Sequence, residues 1–208
     1  MNAPASLYLI RHGEVETRYH RVFGGSRIDM ALSPHGHQQA AMLAQWLGRK
    51  KLDAIYSSPM QRVRQALAPL HANNGQPAPV EMAGLREVDF GDWSGCNWQQ
   101  VQEKFGVSAY DWLNELERGA IPNGESAAGY RARVEPCLRQ IIAEHPGRNV
   151  AVYCHGGIVR MILSILLELP LPKMASFEID YASLTHVELY PHKTEVQLLN
   201  FAPWRDLA

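Results

Sequence analysis

Two imidazole–glycine pairs, His12-Gly13 and His155-Gly156, each follow a short apolar run: Leu7-Tyr8-Leu9-Ile10 for the first and Val150-Ala151-Val152-Tyr153-Cys154 for the second. Such runs fit strands buried on both faces of a parallel sheet. The polar residues after them then sit at the carboxyl ends of the strands, where open α/β sheets bind ligands. A neutral imidazole has a lone pair suited to attacking phosphorus, and a protonated one donates to oxygen anions. Arg11 stands beside His12, and Arg62 follows Ser58-Pro59, which reads as a helix start. Both offer forked, permanently charged donors that match phosphate oxygens. Gly13, without a side chain, would let phosphate approach the backbone. Moving a phosphoryl group also requires a group that protonates the leaving oxygen. Glu87, Asp89 and Asp92 are candidates, and spacing alone does not choose among them.

Four blocks stand in an order that resembles the histidine phosphatase superfamily: Arg11-His12-Gly13-Glu14, Ser57-Ser58-Pro59-Met60-Gln61-Arg62, the stretch from Leu85-Arg86-Glu87 to Trp93-Ser94-Gly95, and Cys154-His155-Gly156-Gly157. The match runs from residue 7 to about 190, and the third block is most similar to the α-ribazole phosphatase and broad-specificity phosphatase branch. The resemblance implies a metal-independent phosphomonoesterase, without cofactor, that acts through a phosphohistidine on a small phosphorylated metabolite, with α-ribazole 5′-phosphate one candidate. It implies His12 as nucleophile, Glu87 as proton donor and acceptor, and His155 as a second imidazole that donates to the phosphoryl oxygens as a cation. Arg11, Arg62 and Gly156 complete the implied phosphate site.

The match departs from the family at two nearby positions. Val15 takes the place of a threonine and Arg18 that of an asparagine that helps hold phosphate, so Arg18 is expected to replace that contact. Glu125 and Ser126 of the retained Gly124-Glu125-Ser126 block read as helix caps. Phosphoglycerate mutases of the same fold carry an arginine pair and a proline-rich run, where residues 100–125 offer Arg118 and Pro122. Mutase activity is therefore the alternative. A non-catalytic phospholigand-binding module is a further one, which loss of His12 or Glu87 would favour; both are present.

Positioning these groups requires strands and helices in alternation, and the pattern predicts them. Ser33-Pro34 opens a helix with Ala40, Leu43, Ala44 and Leu47 on one face and Gly48 as its stop. Leu52 to Ser57 reads as a second strand, residues 72–79 as a surface connection, and Val80 to Met82 as a brief strand. Residues 84–125, with Trp93, Trp98 and Trp112, form an insertion that could serve as a lid. Tyr130, Val134, Leu138, Ile141 and Ile142 mark an amphipathic helix that Pro136 should kink or restart. Asn149 to Cys154 is a strand, and Gly156 to Leu169 a buried helix. Leu184 to Tyr190 and Glu195 to Phe201 form an antiparallel edge turning at residues 191–194. The expected fold is a three-layer αβα sandwich, one domain over residues 1–208.

Composition narrows the partners. Net charge is −1 over 208 residues, which gives no general pull towards nucleic acid or an anionic membrane. Three scattered cysteines suit reduced thiols rather than a disulfide framework, and Cys154 reads as a small buried side chain. His35-Gly36-His37, without carboxylates at ligand spacing, reads as a solvated helix start rather than a metal site. The apolar stretch from Ile158 to Leu169 is interrupted by Arg160 and Glu168, and no signal-peptide pattern precedes the first strand. A cytoplasmic protein is expected, with no membrane or nucleic-acid partner. Oligomeric state is not legible.

Overall fold

A computed structural model describes residues 4–72 and 75–207. One sheet of six strands has the order β3-β2-β4-β1-β5-β6. Strands β1 (Ala5–Arg11), β2 (Ala54–Ser57), β3 (Pro79–Glu81) and β4 (Asn149–Cys154) are mutually parallel. The antiparallel edge is β5 (Leu184–Tyr190) and β6 (Lys193–Phe201). Alternate residues of the central strands enter different hydrophobic clusters. Leu7, Leu9, Val150 and Val152 join one, and Tyr8, Ile10, Ala151 and Tyr153 the other. The sheet is thus covered on both faces, which is why these strands read as unbroken apolar runs.

Helices α1 (Pro34–Leu47) and α2 (Gln61–His71) fill the second cluster, with Leu43, Leu47, Val63 and Leu67 buried there. Between them and β4 lie α3 (Trp98–Phe105), α4 (Trp112–Glu117) and α5 (Ala127–Glu144). The helix after β4 is α6 (Gly156–Leu166), and α7 (Pro203–Asp206) ends the described chain. Tyr130, Val134 and Leu138 of α5 pack with Ile158 and Ile162 of α6 in the first cluster. The result is the predicted three-layer sandwich with a mostly parallel sheet. Among the described residues, no helix is long and apolar enough to cross a membrane.

Several boundaries differ from the sequence reading. Ser58-Pro59 does not open α2: the helix begins at Gln61, whose N–H is taken 2.8 Å away by Asp29 Oδ1 from a distant loop. A tertiary cap serves Gln61, while Ser58 Oγ accepts from Met60 N at 3.4 Å just ahead of the helix. Pro136 does not end α5, which continues through it. Pro136 lies on the exposed side of the helix, where water can meet the carbonyl that loses its donor. Helix α6 stops at Leu166 rather than Leu169, because Glu168 turns left-handed (φ 55°) and Ser164 Oγ donates to the Leu169 carbonyl at 2.6 Å. Strand β2 starts two residues late, β3 is shifted by one, and β6 starts at Lys193. Asn73 and Asn74 of the predicted surface connection lie outside the described residues.

Candidate active site

Strands β1 and β4 lie side by side in parallel with Arg11 level with Cys154. The next residue on each is a histidine, so register alone makes His12 and His155 neighbours. Their ring centroids are 5.3 Å apart at 68°. Arg62, in the first turn of α2, reaches between them: its Nε lies 3.2 Å from both His12 Nε2 and His155 Nδ1. All three side chains are buried.

These contacts fix the tautomers. An arginine only donates, so the two ring nitrogens facing Arg62 carry lone pairs. His12 Nδ1 keeps its proton and donates to the Gly13 carbonyl at 2.7 Å. His155 Nε2 keeps its own and donates to Ser58 Oγ at 2.8 Å. The Nε2 of His12 is therefore the available nucleophilic atom. Burial first, then the charges of Arg62 and Arg11, hold the His12 pKa well below 6.5. His155 is pushed down in the same way by burial, Arg62 and its neighbour His12. The protein's own groups thus favour the neutral form of both rings.

The sign of this effect has a consequence for stability. The unfolded chain binds protons near pH 6.5 that the folded site refuses, so stabilisation from the two neutral rings is present above that pH and lost as pH falls. Urea midpoints should drop on acidification below about pH 6.5. In the double variant His12→Gln, His155→Gln the drop should be shallower. Equal slopes for the two proteins would refute the assignment.

Arg62 spends its other donors on backbone, Nη1 on Ile28 O at 3.2 Å and Nη2 on Gly25 O at 3.0 Å. Burial lowers its pKa to about 10, which leaves it cationic at neutral pH. Arg11 lies over the Tyr181 ring, 4.0 Å from its centroid, and donates through Nη1 to Ile179 O at 2.6 Å. Its Nε is buried without a partner among the described residues. A buried orphan donor costs about 1–3 kcal/mol, and this one lies 3.4 Å from where a Cβ on Gly156 would stand. A side chain at 156 would fill space that an anion's oxygen can use.

Glu87 joins the site from the segment after β3. Its Oε1 accepts from Val88 N at 3.0 Å and from the Tyr130 hydroxyl at 3.3 Å, and its Oε2 accepts from Gly157 N at 3.2 Å. Its competitors point elsewhere: Asp89 pairs with Arg27 at 2.6 Å, and Asp92 accepts from Asn123 Nδ2 at 2.9 Å. Glu87 lines the cleft at these strand ends and neither aspartate does. That cleft, of about 570 Å³, is also lined by Arg11, His12, Arg62, Gly156 and Gly157.

Other expectations are redistributed. Arg18 does not line the cleft; its side chain is 69% exposed and pairs with Glu16 at 2.9 Å, whereas the neighbours Tyr19, His20 and Arg21 face the cleft. Gly13 serves packing between backbones: a Cβ there would lie 2.4 Å from Gly36 O in the first turn of α1. Ser126 caps α5 by accepting from Gly129 N at 3.1 Å, but Glu125 is ion-paired with Arg133 at 2.7 Å. Trp98 and Trp112 line the cleft, while Trp93 is fully buried against Phe23. Among the described residues no group of three or more His, Cys, Asp or Glu is arranged to hold a metal ion. The exposed His35 packs edge-on to Trp204.

Sequence reasoning missed Arg160, Tyr130 and Ser58. Arg160 lines the cleft and ties α6 to the segment before β5, donating to the carbonyls of Phe177 (3.0 Å) and Met174 (3.3 Å). A single charge inside the apolar run from Ile158 to Leu166 was the available signal.

The sequence profile of the histidine phosphatase superfamily (branch 1) matches residues 7–202. The chain belongs to this superfamily. As a histidine phosphatase it is a hydrolase of phosphoric monoesters. It is 33% identical over 195 residues to phosphoserine phosphatase 1 of Hydrogenobacter thermophilus, covering 93% of this chain and 91% of that protein. It is 22% identical over 194 residues to the adenosylcobalamin/alpha-ribazole phosphatase of Escherichia coli, covering 93% and 95%. Among solved structures, mycobacterial hydrolase 1 superposes with a TM-score of 0.86 at 24% identity, covering 96% of this chain and 99% of that one.

Proposed function

We propose that this histidine phosphatase hydrolyses a small phosphorylated metabolite through a phosphohistidine on His12, without a metal ion. The observation that carries the reading is the neutral His12 Nε2, its lone pair turned towards Arg62 Nε at 3.2 Å on the cleft floor. An arriving phosphoryl group takes the donors of Arg62 and Arg11, which frees that lone pair for in-line attack. The P–Nε2 bond forms as the bond to the leaving oxygen breaks, and Glu87 protonates that oxygen. A water then attacks phosphorus, gives its proton to Glu87, and the P–Nε2 bond breaks with its electrons returning to the ring. Phosphoryl charge opposes the forces that hold His155 neutral, so His155 is the group placed to gain a proton and donate as the anion binds.

The names of relatives make phosphoserine and α-ribazole phosphate the first esters to test. The aromatic wall formed by Trp98, Tyr110 and Trp112 supports a leaving group larger than a simple alkyl chain. The deciding experiment is hydrolysis of p-nitrophenyl phosphate and an ester panel in EDTA. Undiminished turnover is expected; a folded protein inert to every ester would sink the reading. Isomerisation of phosphoglycerate with a bisphosphate primer, faster than release of inorganic phosphate, would favour the mutase alternative.

A further inference from the structure

The carboxyl group of Glu87 is held asymmetrically. Oε1 faces two donors, Val88 N and the Tyr130 hydroxyl, whereas Oε2 meets only Gly157 N. Tyr130 is fully buried, and the one hydrogen bond of its hydroxyl among the described residues goes to Glu87. Burial and the charge of Glu87 raise the phenol pKa well above 10, so the hydroxyl keeps its proton throughout the working range. Arg133, one turn further along α5, lies over the Tyr130 ring, 4.7 Å from its centroid, and donates to the carbonyls of Gly84 (2.8 Å), Arg86 (2.7 Å) and Glu87 (3.0 Å). Its ion pair with Glu125 fixes it in turn. One arginine thus locks both the ring of Tyr130 and the main chain that carries Glu87. Gly157 makes room for the arrangement: a Cβ there would stand 2.4 Å from Glu87 Oε1 and 3.0 Å from the Tyr130 hydroxyl.

We propose that Tyr130 is a positioning residue for proton transfer: by occupying Oε1 it reserves Oε2 of Glu87 to carry the proton that goes to the leaving oxygen. A proton on Oε1 would face two donors, one of them a hydroxyl with no other described acceptor. On Oε2 it leaves both of those hydrogen bonds intact and faces one described donor, Gly157 N, instead of two. In the first half-reaction the Oε2–H bond breaks as the leaving oxygen takes the proton. In the second, water returns a proton to Oε2. The assignment rests on the phosphatase reading above and adds to it which oxygen acts and what selects it.

The test separates leaving groups that need an acid from those that do not. Wild type, Tyr130→Phe and Tyr130→Leu are compared on glycerol phosphate, whose alkoxide must be protonated, and by the burst of dinitrophenolate from 2,4-dinitrophenyl phosphate, which leaves unaided. Melting temperatures confirm folding. Tyr130→Phe should lose about 10- to 100-fold in kcat on glycerol phosphate with KM little changed, while its burst rate stays within about twofold of wild type. In a Glu87→Gln background the same change should have no further effect on glycerol phosphate. Wild-type behaviour of Tyr130→Phe, with Tyr130→Leu weakened on both esters alike, would show that only the ring's packing matters and overturn the assignment. A folded wild type that releases no dinitrophenolate and hydrolyses no glycerol phosphate would instead bring down the phosphatase reading, and this assignment with it.

Discussion

His12→Ala should lower kcat by about 10,000-fold or more on every ester, and no acid-labile phosphoenzyme should be trapped on quenching. The reasoning starts from the tautomer. Because Nδ1 donates to the Gly13 carbonyl at 2.7 Å, the only lone pair of this ring is on Nε2, facing Arg62. His155 presents Nδ1 to the same arginine, but His12 lines the cleft whereas His155 is fully buried behind it. A melting temperature checks that the variant folds, since the substitution removes a buried ring and its hydrogen bond to the Gly13 carbonyl. Rapid quench with a ³²P-labelled ester is the measurement. A labelled, acid-labile adduct on His12→Ala would move the nucleophile elsewhere.

Arg62→Lys should be nearly as damaging, about 1,000-fold in kcat/KM, although charge is retained. The guanidinium supplies a donor shared by the two histidines and separate donors to Ile28 O and Gly25 O. An ammonium on a flexible stem cannot hold that fork, and a lysine buried among neutral imidazoles would tend to lose its proton. Loss should appear in both KM and kcat, because on the proposed reading the residue that meets both rings also takes the phosphoryl oxygens. Steady-state kinetics with p-nitrophenyl phosphate at several pH values gives the answer. Retention of more than a tenth of wild-type kcat/KM would mean that Arg62 acts only through its charge.

Much of this arrangement is legible in particular residues. The apolar runs before His12 and His155 announced doubly buried strands, and Ser33-Pro34 announced α1, because periodicity and capping are local signals. The choice of Glu87 over Asp89 and Asp92 came through the motif and not through spacing. The geometry shows why spacing was silent: distant partners, Arg27 for Asp89 and Asn123 for Asp92, hold two of the three carboxylates while Glu87 lines the cleft. Arg18 failed as a phosphate contact for a similar reason. A loop without periodicity carries no sign of which side chains turn inward, and Glu16, two residues away, satisfies it in the solvent.

Residue order by itself determined the layered fold, the strand ends where chemistry gathers, and the types of group available there, since these follow from local pattern and short-range capping. Tertiary structure decided how those groups are wired. Parallel register sets His12 beside His155, a loop carboxylate caps α2 so that Arg62 points between them, and Tyr130 from α5 claims one oxygen of Glu87. Contacts between residues 32 to 143 positions apart depend on the packing of whole elements, and packing leaves no trace in the neighbourhood of any single residue.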